Sequence, residues 1–107
     1  MTERRKYALV DLRWLPLPTS LKYPDAHAFG STGYREEDGP VGLFSVYVKI
    51  LGGGRPGAGV EQSAKLYALV EPMDGRLPQI GTKFLISTGT TLVAECVTRG
   101  RGEASKR

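Results

Sequence analysis

Few side chains in this 107-residue chain are equipped for acid–base or nucleophilic work: one histidine, His27, one cysteine, Cys96, and Asp25 just before the histidine. A thiol becomes a nucleophile when a histidine within hydrogen-bond reach takes its proton and a carboxylate orients that histidine. All three group types are present, but nothing in their spacing brings them together. Cys96 alternates with Leu92 and Ala94 in TLVAECVT, the pattern of a small buried hydrophobe. A metal site has equally little to draw on, because one histidine and one cysteine fall short of the roughly four ligands that zinc takes. The run Glu36-Glu37-Asp38 could attract a hard cation, yet it lacks the alternating ligands and turn glycine of a calcium loop. Gly52-Gly53-Gly54-Arg55-Pro56-Gly57-Ala58-Gly59 is glycine-rich, but a phosphate cradle needs a helix N-terminus behind it, and a strand pattern follows here. The expectation is a chain with no catalytic residues, no metal and no cofactor.

Binding chemistry has more material. Tyr23, Phe29 and Tyr34 fall within one proline- and glycine-rich stretch, together with Lys22, His27, Arg35, Glu36, Glu37 and Asp38. Aromatic and arginine side chains are favoured at the centres of protein interfaces and also stack on bases. They serve equally well as a lid over a barrel mouth, and both readings stay open. The acidic run Glu36-Glu37-Asp38 suits a basic partner by charge complementarity. The net charge of +4 resides at the ends: residues 1–6 carry +2 and residues 98–107 carry +3, which leaves −1 for residues 7–97. Arg99, Arg101, Lys106 and Arg107 thus offer an alternative, sequence-independent contact to RNA.

The elements that must position these groups read as strands. In KYALVDLRWL, residues 6–15, Ala8, Val10, Leu12 and Trp14 fall on one side at period two. Residues 41–51 repeat the pattern with Phe44, Val46, Val48 and Ile50 against Leu43, Ser45, Tyr47 and Lys49. Segment 63–71 places Ala64, Leu66, Ala68 and Val70 together. Its residue types also favour a helix, but its shortness and lack of a capping box favour a strand. Residues 82–88 and 91–98 form a hairpin whose joint contains Gly89. Between the first two strands, residues 16–40 read as a long irregular loop with four prolines, a length that tends to carry function. Residues 1–5 read as a basic arm and 99–107 as a basic disordered tail, flanking a single domain over 6–98. Fourteen glycines and seven prolines agree with a turn-rich all-β chain. A lone cysteine excludes an internal disulfide and suits a reducing cytosol. No apolar run approaches the about 20 residues of a membrane span, and the N-terminus lacks a signal-peptide core.

The residues Pro78, Ile80, Gly81, Phe84, Ile86, Gly89, Val93-Ala94 and Val97 follow a pattern. It resembles the last two strands of the third, C-terminal β-barrel domain of elongation factor Tu, and small stand-alone bacterial proteins built like it. Gly33-Tyr34-Arg35 is similar to the piece after that family's first strand, and Ala8–Leu12 sits where that strand would be. The sequence departs from the pattern at Pro18–Lys22 and at Glu36-Glu37-Asp38, where carboxylates would repel an RNA phosphate. No GTPase motif is present. The resemblance implies a small closed antiparallel barrel of about six strands and a binding role. The partner expected is another protein, such as a basic toxin neutralised in immunity fashion or a translation component, recognised through the long loop.

Overall fold

A computed structural model describes residues 4–24 and 27–105. The strands are β1 (Arg4–Trp14), β2 (Ala28–Arg35), β3 (Phe44–Leu51), β4 (Glu61–Ala68), β5 (Lys83–Thr88) and β6 (Thr91–Ser105). All neighbours run antiparallel, and the sheet closes on itself in the order β1-β4-β3-β2-β5-β6. Closure removes the unpaired edges that an open sheet of this size would expose. The all-β barrel expected from the sequence is therefore the fold.

The inward stripes are those the alternation marks. Ala8, Val10, Leu12 and Trp14 of β1, Phe44, Val46, Val48 and Ile50 of β3, and Ala64, Leu66 and Ala68 of β4 are buried. Phe84, Ile86, Ala94 and Cys96 complete one contiguous core. Gly89 alone takes a positive φ, 61°, at the β5–β6 joint, with Thr88 paired to Thr91 across it. That glycine-first arrangement matches the twist that a two-residue hairpin needs.

Several boundaries differ from the sequence reading, each for a physical reason. The stretch 16–40 is not one loop, since Ala28–Arg35 is a full strand between β3 and β5. Its inward positions are Phe29, Ser31 and Gly33, opposite Val48, Val46 and Phe44, so the apolar alternation that announces a strand is missing. The void above Gly33 is filled by Phe84: a Cβ there would lie 2.3 Å from the Phe84 ring and 2.8 Å from the Leu85 carbonyl oxygen. Residues 41–51 do not begin as strand. Gly39, at φ 70°, and Pro40 turn the chain into a 3-10 turn over Pro40–Gly42.

The fourth strand ends at Ala68, leaving Val70 exposed before a second 3-10 turn, Glu71–Arg76. A bulge on β6 shifts the register between Ile86 and Ser87, so Val93 and Ala94 both turn inward while Leu92 points out. The basic arm and tail are not disordered over their described parts: Arg4 pairs with Ser105 and Arg5 with Ala104. Beyond the barrel rim, Gly100, Arg101, Gly102 and Glu103 pair with β1 without an apolar stripe, so periodicity gives no sign of a strand there.

Candidate functional site

The strand directions place the connections 15–27, 52–60 and 89–90 at one mouth of the barrel, the Trp14 end. Connections 36–43 and 69–82 lie at the other, where Leu77 and Pro78 are fully buried, the Leu77 end. This division splits the candidate residues between two sites.

At the Trp14 end, two of the aromatic candidates act as a lid. Tyr23 meets Trp14 edge-on with ring centroids 5.5 Å apart, and Phe29 lies 5.7 Å from it on a tilted plane. The Tyr23 hydroxyl donates to the Leu15 carbonyl at 2.7 Å, and Trp14 Nε1 donates to Gln62 Oε1 at 2.7 Å. Each polar atom of this lid thus has a partner, as burial demands. His27 is exposed and lines a cleft of about 450 Å³ with Pro24, Ile50, Gly54, Arg55, Pro56 and Gln62. Those residues include no carboxylate to orient the imidazole. Cys96 faces the core between Leu12 of β1 and Phe84 of β5, fully buried, and burial pushes its thiol pKa well above the ordinary value. The thiol and the imidazole therefore form no pair, and Asp25 lies outside the described residues. The glycine-rich loop runs into β4, not into a helix, so it offers no helix N-terminus to a phosphate.

At the Leu77 end, Tyr34 is buried and Arg35 is committed. Arg35 Nε donates to Asp38 Oδ2 at 2.5 Å, and Arg76 Nη2 approaches the same oxygen at 3.4 Å. The hydrogen bond from Arg35 holds the Asp38 carboxyl below its usual range, and the Arg35 guanidinium is raised in turn. Arg5 is similarly fixed, donating to Asp74 Oδ1 at 2.9 Å and to the Ala68 carbonyl at 2.7 Å. These pairs tie the 3-10 turns to the barrel rim. Gly42 packs so closely that a Cβ would lie 2.8 Å from the Asp38 side chain and 2.9 Å from Arg76 Nη2.

Outward at this end stand Glu36, Glu37, Lys83, Ile80 and a group of apolar side chains that the sequence reading assigned to strands. Val41 is 94% exposed, Leu69 and Val70 are each 53% exposed, and Leu43 is 45% exposed. Leu69 N–H donates to the Ser45 carbonyl at 2.9 Å, which places 69–70 beside 43–45. Glu71 is exposed immediately after them. No periodic pattern could have flagged Val41 and Val70, because each continues a valid strand alternation. The available signals were Gly39-Pro40 and Glu71-Pro72, which end the strands on either side.

Of the two basic candidates within the described residues, Arg99 is paired with a carboxylate and Arg101 is not. Arg99 Nε sits 2.8 Å from Asp11 Oδ1, and Arg101 donates to Gln79 Oε1 at 3.5 Å. Lys106 and Arg107 lie outside the described residues. Of the aromatic and basic set once available to RNA, Tyr23, Phe29 and Arg99 are thus engaged within the fold. No family model matches the chain, and neither the curated proteins nor the solved structures yield a match. Among the described residues, no helix is long and apolar enough to cross a membrane.

Proposed function

We propose that the protein is a non-catalytic binding module that recognises a basic surface on another protein through the Leu77 end of its barrel. The observation that carries this reading is Val41, 94% exposed at the tip of a turn anchored by the Arg35–Asp38–Arg76 ion pairs. An exposed valine on a mobile tip is unremarkable, whereas one on an anchored turn, at the same end of the barrel as exposed Leu43, Leu69 and Val70, is a preformed apolar contact. Glu36, Glu37 and Glu71 are exposed at the same end, with Lys83 as the neighbouring cation of the first two, and the excess of carboxylates favours a cationic rim on the partner. The likeness of residues 78–97 to a translation-factor barrel supports the same class of role, binding and not catalysis. A basic toxin held by an immunity-type inhibitor fits this chemistry, and so does a basic translation component.

The test is affinity capture from cells with the wild-type chain, Val41→Asp and Glu36→Lys, followed by titration with the purified partner. The expected result is one basic partner, lost with Val41→Asp and weakened by salt and by Glu36→Lys. Recovery of the same partner with both variants would remove the Leu77 end from the interface.

A further inference from the structure

The outer wall of the barrel carries two adjacent rows of side chains that neither end uses. In the first row, Tyr47 of β3 lies opposite Tyr67 of β4, ring centroids 6.3 Å apart, and Tyr67 lies 5.6 Å from Tyr7 of β1. The row is flanked on β2 by Gly30, opposite Tyr47, and on β6 by Gly102, opposite Tyr7. In the second row, Lys49 lies directly opposite Lys65, flanked by Ala28 on β2 and by Leu9 and Gly100 towards β6. Gly30 leaves Tyr47 without a cross-strand side-chain neighbour on the β2 side, whereas Tyr7 leans over Gly102 on the other.

Cross-strand aromatic pairs stabilise a sheet, so the tyrosines alone would need no further explanation. The lysines do. Like charges directly opposite one another destabilise a sheet, and among the described residues neither Lys49 nor Lys65 forms an ion pair. Lys65 Nζ instead sits 4.7 Å from the centre of the Tyr7 ring. The nearest carboxylate along the face, Asp11, is already held by Arg99. A pair of ammonium groups with no carboxylate partner among the described residues, beside a row of tyrosine rings, is complementary to a ligand that alternates anions with flat apolar rings.

We propose that this outer face of β3, β4 and β1 binds single-stranded nucleic acid, with bases stacked on Tyr47 and Tyr67 and the backbone phosphates drawn to Lys49 and Lys65. Stacking on aromatic rings needs unpaired bases, so a duplex cannot use the face in the same way. Tyr47 is 40% exposed and is the ring most open to an incoming base. The tyrosine row adjoins Leu69 of the Leu77 end but shares no residue with that site, so the two readings are tested by different variants.

Fluorescence anisotropy with the full chain and a labelled uridine oligomer of about 10 nucleotides tests this, with deoxythymidine, duplex and polyglutamate competitors as further arms. The expected result is binding at low salt that weakens as salt rises. Tyr47→Ala should lose about tenfold or more in affinity, while Tyr47→Phe retains it. Lys49→Gln should weaken binding and make the salt slope shallower by roughly 0.7. The uridine and deoxythymidine arms decide between RNA and DNA, and a preference for either supports the site. Equal binding of duplex, equal competition by polyglutamate, an unaffected Tyr47→Ala protein with an unchanged melting temperature, or no binding at low salt would each overturn the proposal.

Discussion

The two mouths of this barrel are closed by different physics. At the Trp14 end, Tyr23 and Phe29 fold over a buried indole, and the polar atoms involved find partners within the lid. At the Leu77 end, closure rests on Leu77 and Pro78 beneath a frame of ion pairs from Arg5, Arg35 and Arg76. Closure by aromatic packing consumes the apolar surface of the loop that supplies it. Closure by charge pairing leaves apolar side chains over, and Val41, Leu43, Leu69, Val70 and Ile80 are exposed there. On the proposed reading, the surface offered to a partner is thus the one whose loops are held by charge, not the loop whose aromatic residues the core claims.

The sharpest way to break this comparison is at the indole. Trp14→Ala removes a side chain that is 1% exposed along with the seat of Tyr23 and Phe29. The expected loss is about 3–5 kcal/mol in chemical denaturation, with quenching of near-ultraviolet aromatic dichroism; a change near zero would mean that the lid is not part of the fold. Next in size is Gly33→Ala, whose methyl collides with the Phe84 ring and the Leu85 carbonyl. About 1–3 kcal/mol should be lost, and Phe84→Leu in the same chain should recover part of it if the ring contact dominates.

The ion-pair frame should respond to acid. Asp38 is held below its ordinary value of 3.8, so its contribution is complete above that value and disappears as pH falls through the lowered one. Asp38→Asn should remove this step from the acid limb of a stability–pH profile and leave the rest of the profile in place. Because the pair is only part-buried and solvent still reaches both groups, the effect is smaller than that of Gly33→Ala. Smallest of all is Val41→Asp, expected to change stability by less than about 0.5 kcal/mol. A larger loss would show that Val41 packs in solution and is not a contact held in reserve.

Much of the barrel was legible because its inward stripes are long and regular: Ala8 to Trp14, Phe44 to Ile50 and Ala64 to Ala68 each show period two without interruption. The strand Ala28–Arg35 was not, because one strand's missing side chain is another strand's ring. Gly33 is empty so that Phe84 can fill its place, and no single-segment pattern records that exchange. The register slip that buries Val93 is illegible for a related reason, since a bulge interrupts the count on which alternation depends. The site was legible in composition but not in assignment. Tyr23, Phe29 and Tyr34 share a stretch of sequence, but the first two belong to one mouth of the barrel and the third to the other. Ring and carboxylate counts in a loop say nothing about which of them the core will claim.

Cys96 gives the fold a built-in clock. Its sulfur is sealed between Leu12 on one neighbouring strand and Phe84 on the other, and the chain has no second thiol to confuse the signal. An alkylating reagent reaches it only when β6 parts from its neighbours, so the labelling rate in native buffer counts spontaneous openings of the closed sheet. Opening of the Leu77-end turns alone leaves that rate untouched, whereas any ligand that clamps the strands together slows it.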